Sequence, residues 1–262
     1  MKWSTRILYI LLVILVAGLF VSNVTLKKEF QRIDKNDTFW NYGKISQEHF
    51  KYIKIEGGNI TNIAFEQSPN CSVRILHDWQ RVRPNPIETR VSNDTLYLKF
   101  TYVPGDEGEK NWMRWLTLVR VFSPELASVE GNNTNFSMFK LRQKNINVSM
   151  SGKSKFEVES FIPDLDTITV SQKDSAEIVF EMSPEYKQPI GVEKSKTRMM
   201  AFPQDANQKN NETFTVEKLN ADLKGNTLLD VGRGRIREIN LKITDSSAIT
   251  LSGSGLRRFC GL

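Results

Sequence analysis

The sequence predicts an all-β solenoid behind one apolar N-terminal helix. Three observations predict it. A thirteen-residue pattern occurs four times, starting at Ile146, Ile168, Leu219 and Ile239. Within each copy apolar residues fall at alternate positions, the period of a strand with one buried face. Near the start, Ile7 to Val24 runs eighteen residues without a charge.

The repeat is clearest in the last two copies, LNADLKGNTLLDV from Leu219 and INLKITDSSAITL from Ile239. Gly225 and Asp245 stand at their centres, with Thr227 and Ser247 two places on. The upstream copies, INVSMSGKSKFEV and ITVSQKDSAEIVF, carry Gly152 and Asp174 there, followed by Ser154 and Ala176. Gly and Asp tolerate the backbone angles of a sharp bend, and a small residue beside it admits the next layer. Copies start 22 residues apart in the first pair and 20 in the second. A strand-bend-strand unit of that length cannot bury its own apolar face, so stacking must do it. An ordinary β-sandwich with regular hairpins also fits short, evenly spaced strands.

Taken in order, Lys2 and Arg6 precede the apolar run, which is long enough to cross a bilayer core. No clean small-x-small cleavage site follows it and no cysteine lies near its end, so it reads as an uncleaved signal anchor. Residues 1–26 form a cytoplasmic tip and transmembrane anchor. Residues 27–44, with Phe39, Trp40 and Tyr42, form a juxtamembrane spacer. The folded domain is 45–262, placed outside the cytoplasm.

Phe50 to Phe65 is a looser strand-bend-strand unit around Gly57 and Gly58. Cys71 to Leu76 reads as a strand, and His77 to Pro86 as a loop because of Pro84 and Pro86. Asn93-Asp94 reads as a turn before an alternating Leu96, Leu98, Phe100 strand. Trp115 to Phe122 is another strand. Pro124-Glu125-Leu126 and Pro163-Asp164-Leu165 punctuate the layers. Residues 184–216 break the rhythm with Pro184, Pro189 and Pro203 and read as an insertion. Leu256 and Phe259 are candidates to plug the end of the stack.

This order of motifs resembles the bacterial family of auto-transporter adhesins with a head GIN domain. Its carriers are Phe50, Ile53, Ile55, Gly58, Asn59 and Ile60; Leu96 and Leu98; Val121, Pro124 and Leu126; Ser151, Gly152 and Ser154; Gly225 and Asn226; and Ser252 and Gly253. The resemblance covers about residues 45 to 258. It implies a right-handed parallel β-helix exported from Bacteroides-like bacteria, and it supplies no catalytic residues. The late third copy and Asp174, where the family often has Gly, depart from it. No barrel-type strands follow Leu251, so the adhesin label transfers as a likeness of fold.

Composition narrows the function. Net charge is +6, with Lys and Arg interspersed among Asp and Glu, a solvated surface rather than a nucleic-acid groove. Cys71 and Cys260, His49 and His77 have no metal-ligand spacing, and no cofactor motif occurs. A polysaccharide lyase or hydrolase on the same fold needs carboxylates gathered on one side. Here Asp174 and Asp245 are not in successive copies, and Asp222 and Asp230 point outward. Val231 to Arg235, VGRGR, lacks the P-loop lysine and reads as a basic turn. The expected role is therefore non-catalytic: a membrane-anchored envelope protein with a surface for adhesion or for a glycan or protein ligand. Trp112 and Trp115, and Arg198, Met199, Met200 and Phe202 in the apolar TRMMAF run, are the candidate contacts. Packing against the domain is the competing role for both groups.

Overall fold

A computed structural model describes residues 3–83, 85–101, 116–139, 142–158, 164–180, 214–232, 234–244 and 246–251. The chain divides into two compact units, Met1–Gly43 and Lys44–Leu262. The first unit is dominated by α1 (Trp3–Arg32), which at 1.5 Å per residue is about 45 Å long. Its side chains from Ile7 to Phe30 are exposed, and Arg6–Gln31 is long and apolar enough to cross a membrane. A signal sequence meets the same criterion of length and composition.

The second unit contains two sheets. One has eight strands in the order β16-β14-β12-β10-β8-β2-β6-β5. These are β2 (Tyr52–Glu56), β5 (Ile87–Ser92), β6 (Thr95–Phe100), β8 (Ser128–Asn132), β10 (Asn145–Ser151), β12 (Asp164–Gln172), β14 (Thr215–Leu223) and β16 (Arg235–Ile243). The other has nine in the order β1-β4-β7-β3-β9-β11-β13-β15-β17. These are β1 (Tyr42–Ser46), β3 (Asn62–Gln67), β4 (Ser72–Leu76), β7 (Thr117–Ser123), β9 (Asn135–Met138), β11 (Lys155–Val158), β13 (Glu177–Phe180), β15 (Leu228–Asp230) and β17 (Ala248–Thr250). A short helix, α2 (His77–Val82), follows β4.

The expected right-handed parallel β-helix is corrected by this topology. Both sheets are mixed: β5 runs antiparallel to β6, and β4 antiparallel to β7. The architecture is a two-sheet sandwich. The physical reason lies ahead of the repeats. Asn93 and Asp94 both take left-handed angles, φ 50° and 56°, with nothing else between Ser92 and Thr95. Such a two-residue turn returns the chain antiparallel into the sheet it left. The repeats themselves pair parallel and in register, Ile146 with Ile168, Ile168 with Leu219, and Leu219 with Ile239.

Alternation explains the core. In β10 the residues Ile146, Val148 and Met150 are buried and the residues between them exposed. In the nine-stranded sheet Phe65, Phe136, Phe156 and Phe180 follow strand over strand, with ring centroids 6.4, 5.9 and 6.5 Å apart, the first two pairs stacked and Phe156–Phe180 edge-on. Gln172 ends β12 inside this core. Its Nε2 donates to the carbonyls of Ala176 at 3.0 Å and Leu228 at 2.9 Å, tying the two sheets together. Residues 77–86, expected as a loop, hold α2 instead. Its Trp79 is buried against Phe100, with ring centroids 6.1 Å apart. The helix ends at Val82, ahead of Pro86.

Candidate functional site

The bends settle the role of one candidate acid. Asn133, Gly152, Asp174 and Gly225 all have positive φ, 51°, 66°, 65° and 79°. Asp174 Oδ2 accepts the Gly152 N–H at 3.1 Å, and Asn133 Oδ1 accepts the Lys153 N–H at 3.0 Å. A Cβ on Gly152 would lie 2.5 Å from that same Asn133 Oδ1, so any other residue there must push the asparagine side chain aside. Asp174 is a bend former whose carboxylate is engaged with the neighbouring turn.

Asp222 and Asp230, the other singled-out acids among the described residues, are also engaged. Asp222 Oδ2 accepts from Lys224 Nζ at 2.8 Å, and that hydrogen bond holds its carboxyl below the usual range. Asp230 Oδ1 accepts the Gly232 N–H at 2.9 Å, so its carboxylate is engaged by the backbone just after β15. The Cys71 thiol is half-buried, 3.6 Å from Ser123 Oγ. Among the described residues no group of three or more His, Cys, Asp or Glu is placed to hold a metal ion. Trp112, Trp115, Arg198, Met199, Met200 and Phe202 lie outside the described residues, as do Asp245 and Cys260.

What the structure brings together is a row across the outer face of the eight-stranded sheet. Register pairs Ser92 with Thr95, Thr95 with Tyr52, and Tyr52 with Ser128. It continues through Asn147, Thr169, Asn220 and Asn240. Every strand of the sheet thus contributes one uncharged hydroxyl or amide. At 4.7–4.9 Å per strand the row is roughly 33 Å long. Asn240 Nδ2 donates to Asn220 Oδ1 at 3.0 Å and to Glu238 Oε1 at 3.1 Å. Half-buried to exposed throughout, the row faces solvent.

Cross-strand ion pairs flank it. On one side Lys54 Nζ meets Glu130 Oε1 at 2.8 Å; on the other Lys218 Nζ meets Glu238 Oε1 at 2.8 Å and Lys144 meets Asp166 at 3.6 Å. The hydrogen bond to Glu130 raises Lys54 above its ordinary value. The hydrogen bonds from Lys218, then Asn240, lower Glu238. Two shallow depressions lie on this face, one at an end of the row and one beside it. One, about 680 Å³, is lined by Thr169, Asn220, Asp222, Asn240 and Lys242. The other, about 360 Å³, lies among Lys54, Glu56, Glu88, Arg90, Tyr97 and Lys99. There Arg90 sits over the Tyr97 ring, 4.9 Å from its centroid.

Sequence reasoning missed this row, although its signal was present. The second residue of each thirteen-residue copy is Asn147, Thr169, Asn220 and Asn240. Attention to the buried positions passed over the outward ones between them.

No protein-family model matches the chain, and no curated protein matches it. Several solved structures are similar to it at low level. One from Parabacteroides distasonis, provisionally described as a lipid binding protein, has 14% identity and a TM-score of 0.38, covering 82% of this chain and 94% of its own. A provisionally described adhesin from the same species has 14% identity and a TM-score of 0.38, covering 80% of this chain and 92% of its own. Another such adhesin, from Bacteroides fragilis, has 14% identity and a TM-score of 0.37, covering 80% of this chain and 95% of its own. Likeness at this level fixes neither the fold nor the function of the chain, and the head GIN resemblance stays a resemblance.

Proposed function

We propose that this is a non-catalytic envelope protein, held in the cell membrane by α1, that presents its domain outside the cytoplasm as a surface for adhesion or ligand binding. The head GIN resemblance belongs to this reading. One observation carries it: the outer face of the eight-stranded sheet is a continuous, register-matched surface of hydroxyls, amides and closed ion pairs. Carboxylates engaged with lysine ammonium groups suit a recognition surface better than proton transfer, which needs an acid tuned toward neutrality. Asp222 and Glu238 are shifted the opposite way. The expected contacts through Trp112, Trp115, Arg198, Met199, Met200 and Phe202 are part of the proposal on sequence grounds.

The test is a fractionation followed by a binding screen. The full-length chain should stay with membranes after an alkaline wash, and external protease should reach its domain. Detergent-solubilised chain should capture an envelope glycan or protein, and a chain lacking 184–213, which leaves buried Phe214 and, in β14, Val216 in place, should separate contacts in that segment from contacts on the sheet. A chain that washes off, or that cleaves a glycan, would overturn the reading; the latter would favour a carbohydrate-active enzyme.

A further inference from the structure

We infer that the uncharged row on the eight-stranded sheet seats a neutral, extended polysaccharide that runs across the strands, about one sugar to each strand. The inference rests on the binding-surface reading and names its ligand class. Three features converge on it.

The first is chemistry. Ser92, Thr95, Tyr52, Ser128, Asn147, Thr169, Asn220 and Asn240 offer hydroxyls and amides in one register, with no charge among them. Hydroxyls and amides both donate and accept, as sugar hydroxyls do. Asn240 spends its amide hydrogens on Asn220 and Glu238, leaving its own Oδ1 and the Asn220 Nδ2 facing solvent. Elsewhere in the row the Thr95 hydroxyl donates to the Asn93 carbonyl at 3.2 Å and Asn147 Nδ2 to the Ala127 carbonyl at 3.4 Å, so that the Thr95 oxygen and the Asn147 Oδ1 are the acceptors offered there.

The second is spacing. Strands repeat every 4.7–4.9 Å. An extended β-linked hexose polymer advances by close to one strand spacing per ring. A chain laid across the strands would therefore meet an equivalent side chain at each sugar. The depression at Thr169, Asn220 and Asn240 provides depth at one end. Toward the other end Tyr52, 43% exposed, offers an aromatic face for a sugar ring.

The third is electrostatic balance. Lys54 and Lys218 are already paired with Glu130 and Glu238 on the neighbouring strand. A polyanion would have to displace those carboxylates, whereas a neutral chain leaves the pairs intact. The row also lacks the apolar centre on which protein partners usually anchor.

The test uses the full chain in detergent, titrated calorimetrically with three neutral hexasaccharides (β-1,4-glucose, β-1,4-N-acetylglucosamine, β-1,3-glucose) and with a hyaluronan hexasaccharide as the polyanion. At least one neutral hexamer should bind, its trimer about tenfold more weakly, and added salt should change its affinity less than about twofold. The triple variant T169A/N220A/N240A should lose about tenfold or more, as should Y52A, while K153A on the bends stays within about twofold. These side chains are exposed or half-exposed, so a thermal melt near that of the parent should accompany each loss. Binding of no neutral hexamer, undiminished affinity in the triple variant, or salt-sensitive binding of hyaluronan alone would each overturn the inference. In the last case the chain would still be a binding protein, and only the ligand class would fall.

Discussion

In residues 145–251 every paired strand runs parallel to its equivalent one repeat away. In residues 50–123 two strands turn back antiparallel on their neighbours, and a helix is tucked beside them. In the second region β2 and β6 alternate buried and outward residues as β10 does, although β3 and β7 do not, so alternation is not what separates the β5–β6 hairpin from the repeats. Turn chemistry is. A single left-handed residue, Gly152, Asp174 or Gly225, carries the chain from one sheet to the other. Two consecutive left-handed residues with no others in the loop, Asn93 and Asp94, send it back into the same sheet. The pattern of burial decides which face a residue serves, and the turn decides which strand it will neighbour.

The sharpest way to break that comparison is through the core. Phe156 lies in the middle of the aromatic stack of the regular region, and Trp79 plugs the irregular one. Each should cost about 3–5 kcal/mol when truncated to alanine. Denaturant midpoints read separately from probes in each region would show whether the two unfold together. Coincident transitions in both variants mean one shared core. A W79A chain that loses only its irregular region would show two.

The bends come next. Gly152→Ala combines a left-handed backbone angle with a clash against Asn133 and should destabilise by about 2 kcal/mol or more. Asp174→Gly at the equivalent bend relieves the angle but removes the acceptor for the Gly152 N–H. These effects oppose each other and should leave a change within about 1 kcal/mol. Equal losses in both variants would mean that the bends are not equivalent. In the hairpin, Asp94→Gly supplies the residue preferred at the second turn position and should stabilise by about 0.5–1 kcal/mol. A loss there would mean that the Asp94 side chain does more than turn the chain.

These outcomes also mark how much was legible in the sequence. Buried faces were legible, because Ile146, Val148 and Met150 announce themselves by period. The bends at Gly152, Asp174 and Gly225 and the turn at Asn93-Asp94 were legible by residue type. The N-terminal apolar helix was legible by length. The stacking of the four repeats was legible too, but strand direction and order upstream of them were not. The sequence of β3 does not say that it lies between β7 and β9, since pairing partners are chosen by shape across a whole sheet. Helix α2 was hidden because Pro84 and Pro86 dominate the local signal, while the single residue that anchors it, Trp79, has no periodic companion. The candidate binding row was hidden because each of its residues looks like ordinary solvent-facing polarity until register aligns them.

The smallest expected effect concerns the ion pairs beside that row, and here the two directions of shift give opposite pH dependence. Glu238 is held below its ordinary value by Lys218. Its contribution is therefore present above the unfolded carboxylate value near 4.5 and is lost as pH falls through the lower folded value. Lys54 is raised above 10.5 by Glu130, so its contribution is present below that value and lost as pH rises through the folded one. The K218A variant should melt slightly below the parent at neutral pH, with the gap closing on the acid side. The E130Q variant should show its gap at neutral pH and lose it on the alkaline side. Both gaps should shrink in concentrated salt, because these side chains are exposed to solvent. A gap in K218A that persists unchanged to about pH 2 would mean that the lysine contributes by covering the sheet with its methylene stem rather than by pairing with Glu238.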